Sequence, residues 1–161
     1  AQLGVAPFVV VRHCNPFSDL TYRGTRCEHI DMSIALSMIG NIQLELIQQH
    51  CDTPSIYREA RERQITSVHH YAFYTADLQT LYRHALAEGM EPVVTRGPPE
   101  AISFAYVAST TLPHLICELV QSDEMTERMF ERIAEYCRSW DGQHWLREAK
   151  LAWLMGGTSL A

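Results

Sequence analysis

The stretch VHHYAFYTADLQTLYRHALAEGMEPV, residues 68–93, decides the fold. Residues 67–75 read as a strand. Asp77 is placed to cap a helix whose Leu78, Leu81, Tyr82 and Ala85 share one face, and Gly89 ends that helix. EPVVT (91–95) reads as a second strand, GPPE (97–100) as a turn, ISFAYVA (102–108) as a third strand and HLICELVQ (114–121) as a fourth. The order is strand, helix, strand, strand, strand.

The front of the chain repeats the back of this unit. Gly4-Val-Ala-Pro-Phe-Val-Val matches Gly89-Met-Glu-Pro-Val-Val-Thr, and IQLELIQ (42–48) matches LICELVQ (115–121). Between them, DMSIALSMI (31–39) takes the place of the third strand, after a long connection, NPFSDLTYRGTRCEH (15–29). Nineteen positions separate His70 from Gly89, whereas three residues precede Gly4, so the first copy is expected to lack its first strand and helix. The plainer alternative is a true seven-strand variant, which would leave an unpaired sheet edge. The chain then divides into an incomplete first module (1–51), a linker helix (52–66), a second module (67–122) and a C-terminal helical extension (123–161).

Composition narrows the function. The 161 residues are 47% hydrophobic and 20% charged with a net charge of −6, which describes a globular chain and argues against nucleic acid as partner. No apolar run is long enough for a bilayer, and AQLGVAPFVVV has no signal-peptide pattern. Five cysteines without C-x-x-C spacing read as reduced thiols in a cytoplasmic protein. No cysteine stands out as a nucleophile and no Gly-rich phosphate loop occurs.

Strand alternation selects the candidate site. In 42–48, Gln43, Glu45 and Ile47 share a face; in 115–120, Ile116, Glu118 and Val120 do. Glu118 is a carboxylate in an apolar run, costly to bury unless paired or bound to a metal. In the histidine doublet, His69 goes with bulky Tyr71 and Phe73, expected to pack against the helix. His70 goes with Val68, Ala72 and Tyr74, which places it on the concave side with Glu45 and Glu118. These three form a His-plus-two-carboxylate set suited to Zn, Mn, Fe, Co, Ni or Mg. Taken singly, each has a plainer reading as a hydrogen-bonded or solvated residue; the equivalence of Glu45 and Glu118 is what joins them.

Weaker candidates line up behind these. Tyr106 is a ligand hydrogen-bonder or a core tyrosine, His114 a pocket-mouth or turn residue, and Arg23 an anion contact or surface turn. His13, His29 and His50 read as surface residues. TPSIYREARER (53–63) reads as a connecting helix with Thr53 at its cap and Pro54 in its first turn. After 121, Met125, Met129, Ile133 and Tyr136 mark a helix by their spacing, with Phe130 and Cys137 alongside. HWLREAKLAWLM (144–155) reads as a second helix.

These motifs together resemble the vicinal-oxygen-chelate superfamily, which includes glyoxalases, bleomycin-resistance proteins and dioxygenases. The nearer likeness is to its glyoxalase-like branch around methylmalonyl-CoA epimerase. The resemblance rests on IQLELIQQ (42–49), DTPSIYRE (52–59), VHHYAFYTADLQTLYRHALAEGM (68–90), FAYV (104–107) and ICELVQ (116–121). It implies an α+β fold of paired βαβββ modules in a cupped mixed sheet, followed here by C-terminal helices. It also implies a divalent metal held by Glu45, His70 and Glu118, with Glu45 or Glu118 as a loosely held ligand doubling as catalytic base. The metal would act as a Lewis acid on two neighbouring oxygens of a small carbonyl or thioester substrate, for an epimerase, isomerase, lyase or dioxygenase reaction. Tyr106, His114 and Arg23 are the residues to contact substrate. A coenzyme A thioester would want a basic rim, for which only the scattered Arg12, Arg23 and Arg96 offer themselves. A homodimer is implied, with neither nucleic acid nor membrane as partner. The competing expectation is a metal-free small-molecule binder of the bleomycin-resistance type; a further one is a silent scaffold.

Overall fold

The computed structural model describes residues 4–16, 19–27, 29–112 and 114–157. In chain order the elements are β1 (Phe8–Cys14), β2 (Leu20–Tyr22), β3 (Thr25–Cys27), β4 (Met32–Ile39), β5 (Ile42–Gln49), α1 (Ile56–Glu62) and β6 (Tyr71–Thr75). There follow α2 (Leu78–Ala87), β7 (Met90–Arg96), β8 (Phe104–Ser109), β9 (Ile116–Gln121), α3 (Glu124–Arg138), β10 (Leu146–Glu148) and α4 (Leu151–Leu154). The fold is α+β, with one four-stranded and one six-stranded mixed sheet. Two compact units divide it: residues 1–16, 30–51 and 124–161 in one, 17–29 and 52–123 in the other.

The second unit contains the complete module. Its sheet runs β3-β2-β7-β8-β9-β6, with β6 parallel to β9 and the β7-β8-β9 meander antiparallel. Asp77 caps α2 by accepting from the Thr80 N–H at 3.0 Å, and Gly89 follows its C-terminus at φ +83°, a conformation that favours glycine. Leu78 and Tyr82 of α2 are buried on Ala105, Val107 and Leu119, with Cys117 packed alongside. That leaves Tyr106 and Glu118, which pair directly across β8 and β9, on the face opposite α2.

The connection read as a loop over 15–29 contains a hairpin, β2–β3, that extends this sheet beyond β7. Arg23 and Gly24 hold φ of +45° and +80° between Tyr22 and Thr25, the two-residue turn whose twist suits paired strands. The linker helix starts later than expected. Ser55, not Thr53, caps α1, its hydroxyl accepting from the Arg58 N–H at 3.0 Å. Pro54 therefore stands before the cap.

The first unit holds a sheet of order β10-β1-β4-β5, in which no strand lies beyond β5 among the described residues. Its three strands β1, β4 and β5 match β7, β8 and β9 of the complete module. α3 packs on β4, with Cys137 Sγ 3.8 Å from Ser37 Oγ and Ile133 fully buried. The expected helix over 144–155 forms only as α4. Leu146–Glu148 instead pair in parallel with Phe8–Val10, fixed by Phe8 N–H to the Trp145 carbonyl and Ala149 N–H to the Val10 carbonyl, each 2.8 Å. Among the described residues no helix is long and apolar enough to cross a membrane.

Candidate metal centre

The strand expected over 67–75 begins at Tyr71. A parallel strand pairs only as far as its partner extends, and β9 begins at Ile116, just after a turn closed by Leu115 N–H on the Leu112 carbonyl. Residues 68–70 thus precede the ladder, and the alternation expected to send His69 away from His70 does not apply to them. The two imidazoles meet instead, Nδ1 to Nδ1, at 3.0 Å. Tyr71 and Phe73 align with Cys117 and Leu119 on the helix side, yet they are 56% and 50% exposed because β6 is an edge strand.

His70 faces the other way. Its Nε2 stands 3.2 Å from Oε2 of Glu118, and Glu118 is only 9% exposed. Two donors each about 2.0–2.1 Å from one cation are separated by about 3.0 Å at a right angle and about 3.4 Å at a tetrahedral one. The observed separation lies between those limits. The separation suits a hydrogen-bonded His–Glu pair and equally two ligands of one small divalent ion.

Aromatic rings wall this pair. The Tyr106 ring meets His70 edge to face with centroids 5.2 Å apart, and Phe104 stands against Tyr106 at 5.1 Å. Tyr106 is 2% exposed, and its hydroxyl reaches the Tyr57 hydroxyl at 3.0 Å. The Tyr57 ring lies 5.8 Å from His69. α1 thus closes the side of the site through Tyr57, while Ile56 anchors it at 2% exposure. Burial pushes the His69 imidazole below its usual range, and nearby His70 adds to this; a hydrogen bond to the Ile56 backbone works against it.

Glu45 sits in the first unit, on β5 opposite Leu36, half-buried. Its face is the one away from α3, because the helix contacts neighbouring Ser37 from the other side. Gln43 shares that face, and its amide nitrogen is buried without a hydrogen-bond partner.

The remaining candidates lie elsewhere. Arg23, expected on substrate, stands at the exposed tip of the β2–β3 hairpin and grips Glu59 bidentately, at 2.8 and 3.1 Å. The Tyr22 hydroxyl also donates to Glu59. The Arg23 hydrogen bond holds the Glu59 carboxyl below its usual range. His114 occupies an exposed turn at φ +69°. His13 bonds Asp31 at 3.0 Å and stacks on His50, whose Nε2 meets Ser33 Oγ at 2.7 Å. All five cysteines are free, and burial raises the Cys14 and Cys117 thiols, which disfavours their thiolates.

Sequence reasoning missed Tyr57 and the position of His69. Tyr57 is the one aromatic in a charged helix, IYREARE, which was the available signal. Nothing local marks where β6 starts. Protein-family models, curated proteins and solved structures were each compared with the chain, and none matches.

Proposed function

We propose that His70 and Glu118 hold one divalent cation, that Glu45 is the matching ligand residue of the first module, and that the protein is an enzyme resembling the glyoxalase-like vicinal-oxygen-chelate proteins. The observation that carries this reading is the buried Glu118 carboxylate 3.2 Å from His70 Nε2. Glu45 joins the set by equivalence. Each Glu lies on the last strand of its module, opposite a third-strand residue (Leu36 or Tyr106), on the face its helix does not cover.

Such a cation supplies Lewis acidity to neighbouring oxygens of a small carbonyl or thioester substrate. The chain's own groups do the rest. Glu118 and His70 are anchored by burial and aromatic packing. Glu45, half-buried and therefore better hydrated than Glu118, takes the proton from the carbon beside the carbonyl. Tyr106 and Tyr57 present hydroxyls beside the pair and orient a polar substrate group. The reaction class is proton transfer, of epimerase, isomerase or lyase type. The same reading includes a homodimer, tested by light scattering, and a reducing cytoplasmic setting, consistent with five free thiols.

The test is elemental analysis and calorimetric titration with Zn, Mn, Co, Ni, Fe(II) and Mg, followed by deuterium uptake from D2O at the α-carbon of a panel of thioesters and hydroxyketones. Binding near one equivalent, abolished in His70→Ala, supports the reading. The second reading, a metal-free binder of the bleomycin-resistance type, draws on the aromatic wall of Phe104, Tyr106 and Tyr57. Ligand binding without any cation would favour it.

A further inference from the structure

We infer that the β2–β3 hairpin is a latch on α1: Arg23 and Tyr22 at its tip hold Glu59, and so keep Tyr57 closed against Tyr106 beside the His70–Glu118 pair. Arg23 and Glu59 are positioning residues that act through the helix. The latch itself is independent of any cation; only the importance of what it covers rests on the proposed site.

A helix of seven residues does not stand alone in water, so α1 depends on what grips it. Ile56 is its only buried residue, and the Ser55 cap fixes the same end. Tyr57 then meets Tyr106, hydroxyl to hydroxyl at 3.0 Å and ring edge to face at 6.3 Å. Two residues further on, the hairpin takes hold of Glu59. Arg23 Nε donates to Oε1 at 2.8 Å and Nη2 to Oε2 at 3.1 Å, while the Tyr22 hydroxyl donates to Oε1. Two parallel N–H donors on one carboxylate fix direction as well as distance. The hairpin end of this fork is anchored in turn. The Arg23 N–H donates to the Val93 carbonyl at 2.9 Å, Tyr22 pairs with Val94, and both valines are buried in β7.

The backbone of the turn points the same way. Its first position takes a positive φ, which Asn, Asp and Gly adopt most readily, yet Arg23 holds it at +45°. A costly conformation at an exposed tip marks a side chain with a task, and the task here is Glu59. Arg63 also stands 3.9 Å from Glu59, so removing Arg23 weakens the hold on this carboxylate without stranding it. Hairpin, α1, His69, His70 and Glu118 all belong to one compact unit. With the latch open, α1 lifts Tyr57 from His69, whose ring lies 5.8 Å away, and from Tyr106, which packs on His70. α1 is thus the movable wall of the pair.

Hydrogen exchange and histidine modification on the full chain test this. Arg23→Asn removes the guanidinium and puts a residue suited to the turn in its place, so the hairpin stays folded. The α1 amides, read at the Arg63 and Ile65 N–H groups that bond the Glu59 and Ala60 carbonyls, should then exchange faster while the α2 amides do not change. The Arg23 side chain is 52% exposed, so water screens the pair and the expected factor is about 3–10-fold. Carbethoxylation of His69 and His70 by diethyl pyrocarbonate, followed by peptide mapping, should speed up in step. Glu59→Gln should match Arg23→Asn, and the double variant should go no further than either single one. Arg23→Lys, which keeps the charge without the fork, should fall between Arg23→Asn and wild type. Tyr57→Ala should speed modification of both histidines and leave the β2–β3 amides protected. Unchanged α1 exchange in Arg23→Asn overturns the latch. Faster α1 exchange with unchanged histidine modification overturns α1 as the wall of the pair. Cobalt(II) titration of wild type is the separate check on the site: no binding overturns the metal reading, and the two rates still decide the latch.

Discussion

Replacing Glu118 by Gln should make the cation-free protein more stable and the cation-loaded protein less so. Glu118 is 9% exposed, and its oxygen lies 3.2 Å from His70 Nε2. A carboxylate there has lost most of its hydration. Gln keeps the shape and carries no charge. Relieving the desolvation is expected to stabilise by about 1–2 kcal/mol. In a chain of this length that raises Tm by about 2–8 °C. A cation at 100 times its Kd stabilises the wild type by about 2.7 kcal/mol, or about 5–11 °C. Losing a ligand costs at least the ~100-fold in affinity that a mere supporting partner can cost. The same cation concentration then gives the variant no more than about 0.4 kcal/mol. The assay is calorimetric melting of both proteins with and without cation, and the two melting orders should cross. A variant that melts well below wild type without cation refutes the reasoning, since the Glu118 carboxylate would then be holding the fold. A variant that keeps the full cation-induced rise refutes it as well.

Three further outcomes are expected. Ser55→Ala removes the α1 cap, a hydroxyl accepting from the Arg58 N–H at 3.0 Å, and should cost about 1 kcal/mol in urea unfolding. Ile133→Ala empties a fully buried position under α3 and should cost about 2–5 kcal/mol by the same assay, with the m-value unchanged. Because Arg23 depresses the folded-state Glu59 carboxyl, that group binds fewer protons folded than unfolded below its ordinary value near 4.5. Its contribution is complete above that pH and is lost as pH falls through the lowered value, so Arg23→Ala should flatten stability against pH in the acid limb; an unchanged slope there would remove the linkage.

The legible parts of the fold were those with a period or a cap. Asp77, the Leu78–Tyr82 face and Gly89 define α2 without help from the rest of the chain. The alternation around Glu118 predicts its face because β9 is a central strand with both neighbours paired. The parts that failed depend on partners distant in sequence. Leu146–Glu148 become a strand because Phe8–Val10 offer a free edge, and a three-residue segment has no period to read. The hairpin at 20–27 was readable in principle from Gly24 between short polar-apolar strands, but Arg at the first turn position is a weak signal. Of the site, Glu118 takes the face its alternation implies and His70 meets it from just before β6 rather than from within the strand, while Arg23 and His114 sit in exposed turns. Arg23 was spent on Glu59, thirty-six residues away, a pairing no local rule anticipates.

The repeat makes Glu45 and Glu118 equivalent in sequence, and topology makes them unequal in chemistry. β9 lies between β8 and β6, so Glu118 has a paired strand on each side, and its carboxylate is almost dry. β5 has β4 on one side and no strand on the other among the described residues, so Glu45 keeps access to water. A dry carboxylate is costly to move and suits a fixed ligand; a wetter one can exchange a proton and rotate. The division of labour proposed for the two therefore follows from strand order alone. Identical residues in duplicated modules thus stand in different surroundings because, among the described residues, one sheet continues past its glutamate's strand and the other does not.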